Sequence, residues 1–238
     1  MSDLLPPGSK VLTFNPDSYL VQNKVNFPTQ SFTVSCWLSW VKPQYQNSAF
    51  ASYATGPDSA TIMNYDEDPD GSGGGTRFGI TSPSNVAAWV GGSSTGPTGI
   101  DVSNGDWYHL AVILTPKDAN HYAVKVIKNG GEKVVEQKIY HDEGVKLRSG
   151  SQLILGQRYW GGQDDRFIGQ FAEFTIWDHV RSLADISRDM TTPLSGNEQG
   201  LVLYWPLDAA PPGVKAGHLT FVDSGGEQFG FDFSGSED

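Results

Sequence analysis

Between Ser31 and Trp40 the chain alternates without a slip: Phe32, Val34, Cys36, Leu38 and Trp40 are interleaved with Thr33, Ser35, Trp37 and Ser39. A period of two is the pattern of a strand that buries one face in a core. Trp37 falls on the otherwise polar side, so that face is expected to be covered as well. Similar runs, rich in β-branched and aromatic residues, recur along the chain. Lys10–Phe14, Ser18–Val21, Phe50–Thr55, Thr76–Thr81, Asn85–Val90 and Trp107–Thr115 read as strands. So do Tyr122–Lys128, Lys133–Tyr140, Leu153–Leu155, Phe167–Trp177 and Leu201–Leu207. Asn129-Gly130-Gly131 joins two of these runs and is the strongest hairpin signal present. Gly56–Gly75 reads as a long acidic loop broken by the short apolar stretch Thr61–Met63, and Gly91–Gly105 as another loop.

One segment has helical spacing. Ser182 and Asp185 form a capping box, Leu183, Ile186 and Met190 share a face, and Pro193 follows the end. About a dozen strands and one short helix predict an all-β fold, a two-sheet antiparallel β-sandwich of the jelly-roll kind. The 238 residues fit a single domain, 1–238, with a core over about 10–208 and a Pro/Gly-rich acidic C-terminal segment, 209–238.

Charge and cysteine usage exclude several function classes. A formal net charge of −11 opposes nucleic-acid binding, which rests on clustered Lys and Arg, and opposes docking on anionic lipid. No apolar run approaches the ~20 residues of a membrane span, so no membrane insertion is expected. Cys36 is the only cysteine, sits in a strand pattern and is expected to be a buried inert thiol. The opening Met-Ser-Asp-Leu-Leu-Pro-Pro shows no signal peptide, which predicts a cytoplasmic or non-classically secreted protein.

The chemistry-bearing residues cluster in loops. Leu153–Leu155 and Phe167–Trp177 read as a rigid strand pair holding a loop of glycines, carboxylates and aromatics. Tyr159 and Trp160 offer flat apolar faces for a sugar ring, with Trp89 as a further stacking candidate. Arg158, Gln163, Asp164 and Asp165 supply hydrogen-bonding groups beside them. Against this stands the alternative that Trp89 is core and Trp160 covers a sheet edge. Asp66-Glu67-Asp68-Pro69-Asp70-Gly71 matches the start of a calcium loop, where alternate carboxylates converge. Its twelfth position is Arg77, which excludes an EF-hand and leaves a looser calcium loop or a solvated acidic loop. Trp37, Trp40, Trp107, Trp177 and Trp205 read as packing residues. The five histidines lack metal-ligand spacing, and His109 is expected to make a structural hydrogen bond. No Gly-x-Ser-x-Gly elbow, phosphate loop or Glu-x-Asp-x-x-Glu strand is present, so no enzyme is expected.

Several stretches resemble the laminin-G/pentraxin group in order and spacing. They are Ser31-Phe-Thr-Val-Ser-Cys-Trp, Trp107-Tyr-His-Leu-Ala, Leu155-Gly-Gln, Ile168-Gly-Gln-Phe-Ala-Glu-Phe-Thr-Ile-Trp-Asp and Leu183-Ala-Asp-Ile. Gly200-Leu-Val-Leu-Tyr-Trp-Pro-Leu-Asp resembles the closing strand of such domains. The resemblance implies a concanavalin A-like jelly roll, and among its members pentraxins are the most similar. Pentraxins hold two calcium ions on one sheet face; carried over, their first acidic position falls on Asp58, followed by Ser59. Their Glu-Gln-Asp ligand run is here Arg158-Tyr159-Trp160, which speaks against the double site. The predicted function is non-enzymatic carbohydrate binding: a lectin for glycans, with Ca2+ as candidate cofactor on Asp58, Asp66, Asp68 and Asp70. Assembly as a homo-oligomer would raise avidity. The rivals are a laminin G-type protein-interaction module and, behind it, a polysaccharide-degrading enzyme built on Asp164, Asp165 or Glu173.

Overall fold

The computed structural model describes residues 4–9, 11–14, 19–41, 60–65, 78–91, 93–140, 147–156, 167–207, 219–222 and 228–231. Their strands form two antiparallel sheets. The larger contains β1 (Leu12–Phe14), β3 (Phe32–Val41), β8 (Asn104–Asp118), β9 (His121–Lys128), β10 (Lys133–Tyr140), β12 (Gly169–Trp177), β13 (Leu201–Trp205), β14 (Leu219–Val222) and β15 (Gln228–Phe231). The smaller contains β2 (Leu20–Val25), β4 (Thr61–Tyr65), β5 (Phe78–Thr81), β6 (Ala87–Val90), β7 (Ser93–Ser94) and β11 (Ser151–Leu155). Their orders are β10-β9-β8-β3-β12-β1-β14-β15, with β13 also on β12, and β2-β11-β4-β5-β6-β7.

The alternation of β3 dictates the layer. Val34, Cys36, Leu38 and Trp40 face inward with Leu110, Val112 and Leu114 of β8 and with Phe171, Phe174 and Ile176 of β12. They meet Met63, Tyr65, Phe78, Ile80, Leu153 and Leu155 of the smaller sheet in one continuous cluster. Aromatic rings fill it: Phe27 stacks on Tyr65 at 4.0 Å, and Phe32 meets Phe78 edge-on at 4.9 Å. Each such side chain contributes roughly 2–3 kcal/mol by leaving water. Cys36 is buried here, and desolvation pushes its thiol up to about 12, so it is inert as expected.

The outer face of the larger sheet is covered too, as Trp37 foretold; Trp37 and His109 are cross-strand partners and both are buried. Their rings meet edge-on at 5.4 Å. The expected hydrogen bond of the His109 side chain is not found: Nδ1 has no partner among the described residues, nor has Trp37 Nε1. Aromatic packing, not a polar contact, holds this imidazole. Farther along the same face lies α1 (Leu183–Asp189), which sets Ile186 onto Ala111, Ile113 and Ile127. Its capping box is formed as the sequence predicts, with Asp185 N–H donating to Ser182 Oγ at 3.1 Å. Ser187 Oγ donates to Gly130 O at 2.9 Å, which clasps the β9–β10 turn under the helix.

Glu173 explains how three strands share β12. The edge of β12 pairs with β1 over Gly169–Phe171 and with β13 over Phe174–Trp177. Between them Glu173 adopts φ 51° at a register shift, a bulge conformation that is costly for a residue with a Cβ. Its carboxylate accepts from Ser9 Oγ and from Tyr204 Oη, each at 2.5 Å, and so ties the start of β1 to β13. Glu173→Ala is expected to lower unfolding free energy by about 2–3 kcal/mol, read by urea denaturation, because it removes both acceptors from part-buried hydroxyls. An unchanged midpoint would show that the tie carries nothing.

Three expectations need correction. Thr61–Met63 is no mere break in a loop but part of β4, in the middle of the smaller sheet between β11 and β5. All five β4 residues are buried, so both faces are covered and alternation has no reason to show. The segment read as the loop Gly91–Gly105 contains β7 and the first residues of β8. Leu153–Leu155 and Phe167–Trp177 are not a pair, because β11 and β12 belong to different sheets. The C-terminal segment contributes β14 and β15, with Thr13 of β1 opposite Val222. Phe50–Thr55 lies outside the described residues.

Candidate functional site

Register across the smaller sheet aligns one row of outward positions: Val21, Ile154, Asn64, Gly79, Trp89 and Ser94 are successive cross-strand partners. Along this row Ile154 and Asn64 are buried, whereas Trp89 is 36 % exposed. Trp89 is therefore not core, although its neighbours Ala88 and Val90 are. Gly79 opposite it brings no side chain, so the indole has room to lie along the sheet. Trp89 Nε1 donates to Thr81 Oγ1 at 2.9 Å, which fixes the ring's direction and satisfies its one donor. A flat apolar face is left toward solvent, with the hydroxyls of Thr81, Ser82 and Ser94 around it.

Thr81 pairs with Thr61, at the end of the sheet where residues 42–59 enter β4. Gly156, which follows β11, lies at the same end: its N–H donates to Ile62 O at 3.1 Å. Phe167 N–H donates to Gly156 O at 2.8 Å and closes the base of segment 157–166. The Phe167 ring is anchored in the core, 4.2 Å from Phe171 and 6.3 Å from Phe14. Between Gly156 and Phe167 the chain passes from the smaller sheet to the larger. Trp89 leans through Thr81 toward this end.

Of the site residues read from sequence, Arg158, Tyr159, Trp160, Gln163, Asp164, Asp165, Asp58, Asp66, Asp68 and Asp70 lie outside the described residues. The strands nonetheless fix where their segments attach. Asp58 precedes β4 and residues 158–165 follow β11, so both attach at the Thr61 end. Residues 66–77 leave β4 after Tyr65, which pairs with Phe78, at the opposite end. A five-residue strand separates those ends by about 13 Å. In sequence, Asp58 belongs to the segment that enters β4, and Asp66, Asp68 and Asp70 to the segment that leaves it. Among the described residues no group of three or more His, Cys, Asp or Glu side chains could hold a metal ion.

A hollow of about 770 Å³ lies beside α1, where the sequence analysis placed no site. Arg181 lies over Trp177 at 3.9 Å and pairs with Asp189; Arg188 reaches Asp185 at 2.9 Å and Asp189 at 3.3 Å. Glu198 accepts from Ser195 and Gly196 N–H groups, which favour its charged form and hold its carboxyl below the usual range. Its charges answer one another and fasten the helix to β12. The only sequence signal was the capping box itself.

A two-layer antiparallel jelly roll is the architecture of the concanavalin A-like sandwich. A laminin G-type family model, described as the concanavalin A-like lectin/glucanases superfamily, matches residues 14–187, and the chain belongs to that superfamily. The neuronal pentraxin receptor of Mus musculus is 26% identical over 110 residues, 44% of this chain and 21% of that protein. Neuronal pentraxin-2 of Cavia porcellus is 31% identical over 112 residues, 44% of this chain and 24% of that one. The matched region thus spans about a quarter or less of these relatives.

Two solved structures share the fold. The native heptameric SAP-like pentraxin of Limulus polyphemus gives a TM-score of 0.52 at 17% identity, covering 82% of this chain and 87% of that chain. A protein of Bacteroides ovatus ATCC 8483 assigned to carbohydrate binding gives 0.57 at 18% identity, covering 93% and 57%. Among the described residues no helix is long and apolar enough to cross a membrane.

Proposed function

We propose that this protein is a non-enzymatic carbohydrate-binding protein, a lectin that receives a sugar ring on the outer face of the smaller sheet at Trp89. The observation that carries the reading is Trp89, exposed on a sheet face, pinned by Thr81 and facing a glycine. Rigid aromatic faces with hydroxyl neighbours suit the apolar side and the hydroxyl rim of a pyranose. On their side-chain chemistry, we take Tyr159 and Trp160 as further stacking residues, and Arg158, Gln163, Asp164, Asp165 and Asp58 as hydrogen-bonding groups. Kinship with a superfamily of lectins and glucanases, and a fold shared with a protein assigned to carbohydrate binding, support the class.

Calcium is a secondary part of the proposal. Hard calcium takes six to eight oxygens. Arg158, Tyr159 and Trp160 supply no carboxylate where pentraxins carry their ligand run, so this donor set does not fit the double pentraxin site. A single ion on Asp58 with Asp164 or Asp165, or on Asp66, Asp68 and Asp70, is the form compatible with these residues.

A glycan array run with calcium and again with chelator tests the reading. Binding that survives chelation and falls about tenfold or more in Trp89→Ala or Trp160→Ala supports stacking without metal. Loss on chelation assigns the acidic segments to calcium. Absence of signal in both conditions overturns the lectin reading in favour of a protein-interaction module. Turnover of polysaccharide that stops when Asp164 or Asp165 is neutralised would overturn it in favour of an enzyme.

A further inference from the structure

The larger sheet ends in β10, and the edge it presents is unusually regular. All eight residues of β10 pair with β9 without a register shift. No backbone hydrogen bond joins residues 134–140 to any other element among the described residues. The edges of the smaller sheet are blunted in comparison: β7 has two residues, and β2 carries Lys24 at φ 57°. An unpaired regular edge is a template for another strand.

The side chains of β10 choose the partner. Val134, Glu136, Lys138 and Tyr140 are all exposed and share the outer face. Val135 and Ile139 alternate with them and turn toward the core cluster. Set a second β10 antiparallel, with the two-fold axis through Gln137. Glu136 then faces Lys138 of the second copy, Val134 faces Tyr140, and Val135 faces Ile139, with each contact repeated by symmetry. Shifting the axis to Glu136 or Lys138 sets like charges face to face. Shifting it to Val135 sets Glu136 against Val134. Side-chain parity forbids the intermediate registers, because a one-residue slip moves each side chain to the other face. One register alone satisfies charge and hydrophobicity together.

We propose that β10 is a self-complementary edge that joins two copies of this chain into a symmetric dimer with a sheet continuous across the axis. Lys133 does not obstruct it, since its ammonium turns away to Gly99 O. The inference stands apart from the sugar reading, because the edge belongs to the larger sheet and Trp89 to the smaller.

Sedimentation of the full chain over a concentration series tests the pairing. The wild type is expected to dimerise, and Glu136→Lys or Lys138→Glu to weaken the dimer about tenfold or more by turning both symmetric attractions into repulsions. The double swap E136K/K138E is expected to restore it. Within one chain Glu136 pairs with Lys125 at 3.2 Å and Lys138 with Asp118 at 3.5 Å, and the double swap repairs neither contact. Recovery therefore reports the contact between copies. Gln137→Cys should give a disulfide-linked dimer, since residues paired on the axis lie about 4.5–5.5 Å apart, within disulfide reach. Cys36 is buried and does not compete. A wild type that stays monomeric overturns the proposal. So does a dimer indifferent to the single charge reversals, or one in which the residue-137 cysteines fail to cross-link.

Discussion

Acidification from pH 6.5 to about 4.5 is expected to weaken the folding equilibrium of this protein about fiftyfold, and His109→Leu to remove most of that loss. Burial drives the effect: His109 is 3 % exposed, and desolvation lowers its pKa from 6.5 to about 3. Between those values the unfolded chain binds a proton on this imidazole and the folded chain does not. Stability therefore falls as pH falls, by roughly tenfold in the equilibrium constant per pH unit, starting at the unfolded pKa. Above pH 6.5 both states are neutral and the contribution is flat. Asp118, Asp185 and Glu198, whose pKa values lie below their usual ones, add their own loss only toward the acid end of the interval, so the difference between wild type and His109→Leu is what isolates the histidine. Leucine keeps the packing against Trp37 and leaves no orphaned nitrogen, so the variant should fold at neutral pH. Urea midpoints measured along the pH interval decide the matter. Parallel slopes in wild type and variant would mean that His109 is protonated in the folded state.

Gly169→Ala is expected to destabilise the fold by about 3 kcal/mol or more. A Cβ at this position would lie 2.3 Å from the Ser39 carbonyl oxygen and 2.9 Å from the Phe167 ring. The oxygen cannot retreat, because it belongs to β3 where that strand pairs with β12, Trp40 standing opposite Gly169 and Ser39 opposite Gln170. On the other side Gly169 pairs with Phe14 of β1. Phe167 is fixed against Phe171 and closes the base of segment 157–166. The damage should reach ligand binding as well as stability. Gln170→Ala, at a half-buried neighbour, serves as control. Thermal or urea unfolding with the same midpoint in Gly169→Ala and wild type would show that β12 and β3 can separate freely.

Trp89 and Glu173 mark how far the candidate site could be read in advance. Trp89 was legible as an aromatic near a turn, yet its sequence neighbours Ala88 and Val90 suggest core equally well. Its exposure depends on Gly79 and Thr81 of the neighbouring strand, which no local pattern reveals. Glu173 was readable as a carboxylate within an apolar run; that it joins β1 to β13 follows only from three strands meeting at one bulge.

Local physics, written in the sequence, determined the elements themselves. Period-two alternation made β3, apolar runs rich in β-branched residues made β8 and β9, the Asn-Gly-Gly turn made the β9–β10 hairpin, and the Ser182/Asp185 capping box made α1. Tertiary structure alone decided that β11 and β12 belong to different sheets, that five buried residues without alternation form the central strand β4, and that Trp37 is covered while Trp89 is not. The reason is that alternation states which side chains share a face, whereas the burial of that face is decided by strands and segments distant in sequence.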